Sequence, residues 1–229
     1  IFYLIVIGNL KLTNIGDYNY FILDLGTFAI PFSILCVLFL INAFNYFDGI
    51  DGSLTITSIS VIFILYFLSS SNEIKFYLLT ILIPLCIFLI FNFALFKTPK
   101  LFLGDGGSLL IGFIISFSLI YFANNNLSHP ILLAWSVSLF VYEFLSINLI
   151  RLKNKRNPFQ PSKDHLHHIL FKENNSILLT NFIIFFINII FFVVGYLSFK
   201  MLSPLFSLIL FIFTFFIFFF LRNSFSYKN

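Results

Sequence analysis

Charge is what this sequence has least of. Asp, Glu, Lys and Arg make up 10% of the 229 residues, against about 25% in an average soluble domain. Sixty per cent of the residues are hydrophobic and the mean hydropathy is +1.03. A soluble fold of this size has no room to hide so much apolar surface. A water-soluble enzyme, a disordered chain and a fibrous repeat are all excluded. Cysteine is nearly absent: Cys36 and Cys86 each sit inside an apolar run, at no spacing that suggests a metal site or a disulfide, and they say nothing about compartment. Alternation of apolar and polar residues is missing too, which excludes a β-barrel. No internal repeat and no linker divide the chain. Phenylalanine, by contrast, is abundant at 37 residues without a fixed period, and reads as lipid-facing and interhelical bulk with no chemical role. What remains is an all-α, polytopic helical membrane protein, one integral membrane domain over 1–229. Its net charge of +4 then records topology rather than nucleic-acid binding.

A membrane helix needs roughly 20 apolar residues. Seven stretches qualify, at 27–47, 54–70, 75–96, 108–123, 130–151, 177–198 and 203–221, with Pro31, Pro84 and Pro204 placed to kink or start helices. Residues 1–7 are apolar without a basic region before them, a poor signal peptide that resembles the tail of a helix; the expectation is a chain truncated at its N-terminus. Alternating the connections puts 48–53, 97–107, 152–176 and 222–229 on one side and 8–26, 71–74, 124–129 and 199–202 on the other. The first side then carries ten Lys and Arg and the second three, Lys11, Lys75 and Lys200. That bias makes the first side cytoplasmic.

Three polar constellations all fall on that side. NAFNYFDGIDG at 42–52 places Asp48 and Asp51 three residues apart, on one face if the turn is helical, with Gly49 and Gly52 after them and Asn42 and Asn45 a turn before. Paired carboxylates among glycines suit Mg²⁺ binding or removal of a proton from a phosphate or hydroxyl nucleophile; a polar helix end with turn residues is the plainer reading. FLGDGGS at 102–108 sets Asp105 among glycines ahead of an apolar helix. Backbone amides at a helix start favour anions. An Asp there fits a cation bridging to a phosphate, or an ordinary Gly-rich turn near a helix cap. HLHH at 165–168 closes the longest polar stretch, 151–170. His165 and His168 share a face in a helix, His165 and His167 in an extended segment. No Cys or carboxylate spacing completes a zinc set, so phosphate binding beside Arg156 and Lys163 fits better, on an approach stiffened by Pro158 and Pro161. Lys153 and Lys155 read as the topology signal alone. Glu143, inside a span, is either a functional acid or half of a structural pair with a neighbouring helix. His129 and Trp135 lie toward the far side and receive no catalytic role.

Taken together these residues resemble one family. NAFNYFDGIDG resembles the Asn-Ala-x-Asn-x-x-Asp-Gly-x-Asp-Gly signature of the polyprenyl-phosphate N-acetylhexosamine-1-phosphate transferases, glycosyltransferase family 4. FLGDGGSLLIGF is similar to that family's Gly-Asp-x-Gly-Ser segment. The His-x-His-His pattern in RNPFQPSKDHLHHIL resembles its bacterial undecaprenyl-phosphate N-acetylglucosamine-1-phosphate transferase branch rather than the peptidoglycan branch, which usually has three consecutive His. The resemblance implies transfer of a sugar 1-phosphate, from a UDP-N-acetylhexosamine to undecaprenyl phosphate, with release of UMP. The product would start a lipid-linked cell-envelope glycan. It implies Mg²⁺ as cofactor, with Mn²⁺ able to substitute, and an active site on the cytoplasmic face of the bacterial inner membrane. Membrane lipid is a partner, nucleic acid is not, and a homodimer stays open. By resemblance Asp105 is the metal ligand, Asp48 and Asp51 are catalytic, and Asn45, Arg156, His165, His167 and His168 bind substrate. Glu143 stands where relatives often carry Asp. The family also carries an adjacent Asp-Asp pair on an earlier cytoplasmic loop. The only acids before Asp48 are Asp17 and Asp24, isolated and on the other side, so the pair is expected upstream of Ile1 or is lacking. A membrane metallohydrolase is the first alternative, needing a positioned water instead of a lipid groove. An ion-coupled transporter is the second, disfavoured because its acids belong near mid-membrane.

Overall fold

The computed structural model describes residues 1–157 and 164–226, with the side chains of 225 and 226 left aside. It is an all-α bundle. Among the described residues the helices are α1 (Phe2–Val6), α2 (Ala29–Asn45), α3 (Ser53–Leu68), α4 (Asn72–Asn92), α5 (Gly104–Asn124), α6 (Pro130–Ser136), α7 (Ser138–Lys153), α8 (Leu166–Asn174), α9 (Ile177–Met201) and α10 (Pro204–Ser226). Helical stretches stand where all seven spans were expected. Five are long and apolar enough to cross a membrane: α2 with the 3-10 turn before it, α4, α5, α9 and α10. Pro204 opens α10, where a missing N–H costs nothing.

Two expected spans differ in form. The 54–70 stretch is a helix of only 16 residues, α3, sunk in the bundle with Leu54, Val61, Ile62 and Leu65 buried; a helix wrapped by others need not match the lipid thickness. The 130–151 stretch is not one span. It breaks at Val137 into α6 and α7, bent by 70°. The carbonyl at the break is met from another helix. Asn188 of α9 donates its amide to the Ser136 carbonyl (3.1 Å) and to Ser60 Oγ (2.8 Å). A backbone group freed inside a membrane bundle is tolerable only with such a partner.

The 8–26 connection, expected to be a plain loop, holds a short antiparallel hairpin, β1 (Asn14–Asp17) with β2 (Ile22–Asp24). It closes one end of the bundle, where Asn124 Nδ2 donates to the Lys11 carbonyl and His129 Nε2 meets the Asp17 carbonyl. The core between the ends is apolar. α2 packs against α5, and Phe44 stacks on Phe140 with ring centroids 3.8 Å apart.

Candidate active site

The end opposite the hairpin is built from the 46–52 turn, the 93–103 loop and the segment around α8. Phe47, fully buried, pins the first of these. The chain leaves α2 in helical turns, with Phe47 N–H donating to the Phe44 carbonyl and Asp48 N–H to that of Asn45. It enters α3 through Gly52, whose φ of +76° is left-handed and cheap only for glycine. Asn45 Oδ1 accepts from Ser108 Oγ (2.8 Å), whose single O–H is shared with the Asp105 carbonyl (3.0 Å). The first two motifs are thereby stitched together across α2 and α5. Asn42 is spent inside its helix, on the Leu38 carbonyl.

Asp51 and Lys100 form an ion pair (2.6 Å), and the Asp51 carbonyl accepts from Asn181 Nδ2 of α9 (2.8 Å). Lys100 is 43% exposed, so the pair is worth at most about 1 kcal/mol and is easily exchanged. Asp48 and Asp105 both reach the surface. The protein packed around Asp48 strips part of its hydration, and the charges of Asp105 and Asp51 add to that; its pKa is raised to about 6. Three carboxylates thus stand within electrostatic reach of one another at an accessible edge.

The histidines come to the same place. A Cβ on Gly49 would collide with His167 Nε2 and crowd His168, so the glycine after Asp48 is the floor on which the rings lie. His165 and His167 are stacked almost parallel (5.6 Å, 3°), and His168 sits 4.4 Å from His167 between centroids. Tyr46 and Phe47 flank them. His165 is 9% exposed and His167 1%. Burial lowers the His165 pKa to about 4, with Arg151 and His168 pushing the same way against Glu143 and Asp164; burial lowers His167 well below the usual imidazole range, helped by His168, His165 and Arg222. Both are neutral near pH 7. His165 Nδ1 and His167 Nε2 are buried without a hydrogen-bond partner among the described residues, at a cost of about 1–3 kcal/mol each.

Two guanidinium groups and one acid secure this segment. Arg151 of α7 pairs with Asp164 (3.2 Å), immediately before His165. Glu143, on α7 shortly after the break at Val137, accepts the Leu166 N–H at the start of α8 (2.8 Å). Arg222 of α10 grips the same carboxylate with two nitrogens (3.0 and 3.2 Å), both side chains at most 2% exposed. Glu143 is therefore half of a structural pair, the second of its two readings.

Of the expected site residues, Asn45, Asp48, Asp51, Asp105, His165, His167 and His168 come together. Arg156 is exposed just beyond the end of α7, and among the described residues the guanidinium groups in ion pairs at the histidine segment are those of Arg151 and Arg222. The expectations for Lys163, Pro158 and Pro161 fall outside the described residues. In the sequence Lys100 and Arg222 count only toward the topology bias. Lys100 stands five residues before Asp105 in the same loop, and Arg222 ends an apolar run in the same way that Glu143 interrupts one; an ionisable residue there is a candidate with a partner to be named.

The family described as Glycosyl transferase family 4 matches residues 1–123, more than half of the chain and both acidic motifs. The chain belongs to glycosyl transferase family 4. Curated relatives of the chain carry the name undecaprenyl-phosphate alpha-N-acetylglucosaminyl 1-phosphate transferase. The one from Escherichia coli O157:H7 is 27% identical over 177 residues, 74% of this chain and 48% of its own length. The one from Yersinia pestis is 29% identical over 154 residues, 65% and 42% respectively. The one from Haemophilus influenzae is 26% identical over 151 residues, 64% and 42%. The chain spans about half the length of the curated relatives it matches. The family match stops short of the histidine segment, which reaches the two acidic motifs here through the fold: α8 packs on α9, and α9 holds the Asp51 carbonyl.

Proposed function

We propose that this membrane protein of glycosyl transferase family 4 transfers a sugar 1-phosphate from a UDP-sugar to undecaprenyl phosphate, releasing UMP. The sugar is N-acetylglucosamine, as in the names of the relatives. One observation carries the reading: three carboxylates, Lys100 and three histidines converge at one end of a bundle of membrane-crossing helices. An acceptor with its tail in lipid presents its phosphate at that level, while a soluble anionic donor arrives from the water beside it. The ten-to-three split of Lys and Arg supports the cytoplasmic face, and the organisms of the relatives support a bacterial inner membrane.

In this reading an oxygen of the acceptor phosphate bonds to the sugar-bearing phosphorus of the donor, the bridge to the uridylyl phosphate breaks, and UMP leaves with that bond's electrons. Asp48 holds the residual proton of the acceptor phosphate. Asp51 sets Lys100 at the edge of the site, where exchange from carboxylate to donor phosphate is easy. His165, His167 and His168 bind the donor: the neutral imidazoles of His165 and His167, each with a buried nitrogen that holds no hydrogen bond among the described residues, are suited to anionic oxygens. Asn45 keeps the two acidic motifs in register.

The residues present fit Mg²⁺. No group of three His, Cys, Asp or Glu among the described residues is arranged as a metal cage, but Mg²⁺ is commonly held by one or two carboxylates with water and substrate phosphates. Asp105 would hold it, with Asp48 beside it, and the hard oxygen donors and their mutual repulsion at Asp48 suit a divalent cation. When bound it would neutralise charge on the diphosphate and the leaving UMP. A transporter reading loses ground, because Glu143 is committed to Arg222 and Leu166. The test is UMP release from UDP-N-acetylglucosamine by the purified protein. Release only with added undecaprenyl phosphate and Mg²⁺ is expected; release with water alone would point to a hydrolase, and none at all sinks the reading.

A further inference from the structure

We infer that Arg222, near the end of the last helix, is a positioning residue for the histidine segment and acts through Glu143. The inference deepens the transferase reading and rests on it for the donor-binding role of the histidines. α10 is the least embedded of the long helices. Among its described side chains only two are buried, Ser207 and Arg222. Both are polar, and both are hydrogen-bonded to other helices. Ser207 links Trp135 Nε1 (3.0 Å) to the Gly195 carbonyl (3.0 Å). Arg222 spans the face of the Glu143 carboxylate, contacting each oxygen once. Glu143 Oε1 also takes the Leu166 N–H.

The geometry forms a chain from lipid-facing helix to ligand-facing rings. A helix begins with N–H groups that no carbonyl of its own can satisfy. In α8 the residue before the helix, His165, supplies no side-chain cap. Glu143 supplies it from α7 instead, and Leu166 lies between His165 and His167. Fixing that amide fixes the pitch at which the rings leave the backbone. The carboxylate can stay at that depth as a charge only beside a counter-charge. Arg suits the task better than Lys, since its planar fork holds both oxygens at once. The arrangement is independent of the carboxylates at 48, 51 and 105.

The test compares Arg222→Met, Arg222→Lys, Glu143→Gln with Arg222→Met, and Ser207→Ala in the intact protein. Ser207→Ala loosens α10 without touching Glu143. Two readings are taken: hydrogen exchange at the Leu166 amide, and UDP-N-acetylglucosamine affinity with kcat measured separately. In Arg222→Met the Leu166 amide loses protection, and donor affinity falls roughly ten- to a hundredfold, the size of one hydrogen bond to a charged group. Arg222→Lys recovers part of both. The double variant recovers Leu166 protection, because the amide oxygen that Glu143→Gln leaves in place can still accept from that N–H and no unpaired charge remains; it also answers the question if the single variant fails to fold. Unchanged Leu166 protection in Arg222→Met overturns the inference, as does equal loss in Ser207→Ala or a folded double variant with Leu166 unprotected. Lost protection with donor affinity intact upholds the brace and overturns the donor-binding role of the histidines.

Discussion

At the hairpin end of the bundle the ring of His129 is fully spent. Its Nδ1 accepts from the Ile131 N–H (3.2 Å), which leaves the proton on Nε2 to be donated to the Asp17 carbonyl (2.9 Å). Gly16 lies beneath the ring and has no room for a Cβ. At the other end His167 lies over Gly49 in the same manner, and burial lowers both imidazoles. There the likeness stops. His165 Nδ1 and His167 Nε2 hold no hydrogen bond among the described residues, and the acids near them stand three together. A ring whose nitrogens are both used closes a turn. A buried ring with a nitrogen unused, beside crowded carboxylates, stores a cost that a bound anion and cation would relieve. Burial and lowered pKa are common to both ends, so the unspent nitrogens are what distinguish them, and the donor-binding proposal rests on that difference.

The sharpest way to break that contrast is Asp105→Asn. If Asp105 holds Mg²⁺, kcat falls by roughly three orders of magnitude, since losing a metal ligand forfeits several kcal/mol and each 1.4 kcal/mol is about tenfold. The thermal midpoint should hold or rise, because one of three crowded negative charges is gone. Near-normal turnover at saturating Mg²⁺ would remove the assignment. Next in size is His168. His168→Ala should weaken donor binding by roughly ten- to a few-hundredfold, the worth of a hydrogen bond to a charged group, and His168→Gln should retain more activity than Ala. Both variants abolishing turnover with donor affinity intact would mean proton chemistry at this residue instead.

The two ends also differ in how far they could be read from sequence. The motif end was legible because Asp48, Asp51, Asp105 and the histidines are expensive in an apolar chain and keep recognisable spacings. The apolar spans were legible because a lipid solvent imposes length. What stayed hidden depends on distant partners. The break at Val137 is licensed by Asn188, on a helix about fifty residues away in sequence. Arg222 was absorbed into the count of cationic loop residues, and nothing local says that it turns inward to Glu143. The hairpin over 14–24 is short and lacks a clear alternation, so it read as a loop.

A smaller effect is expected at the hairpin end. His129→Leu leaves the Asp17 carbonyl and the Ile131 N–H without their partner, which costs about 1–3 kcal/mol where such groups are shielded from water. The thermal midpoint in detergent should fall by a few degrees, while turnover per folded molecule stays unchanged. A loss of turnover at unchanged stability would join the two ends functionally and undo the contrast drawn between them.

The last effect is a pH dependence that the lowered histidines of the two ends share in sign. His165 has its pKa lowered from 6.5 to about 4 in the folded protein, chiefly by burial, and His167 and His129 are lowered as well. Above pH 6.5 the folded and unfolded forms are both neutral at these rings, and they add no slope. Between about 6.5 and 4 the unfolded chain takes up protons that the folded one refuses, so stability falls as the pH falls. Stability measured in detergent from about pH 7.5 to about pH 5 should therefore decline, by less than the rings alone would give, because Asp48, raised to about 6, takes up a proton in the folded protein over the same range; His165→Asn should flatten the curve by removing one of the contributing rings. The ends part company once ligand is added. A bound anionic donor accepting from His165 or His167 favours the protonated ring and raises its pKa, so UDP-N-acetylglucosamine added at constant Mg²⁺ should shallow the slope in the wild-type protein. His129, with both nitrogens committed at the far end, gains nothing from the donor; with Mg²⁺ held constant, a His165→Asn, His167→Asn, His168→Asn variant should show the same residual slope with and without it. A donor effect that survives in that variant would mean the unspent nitrogens are not where the donor binds.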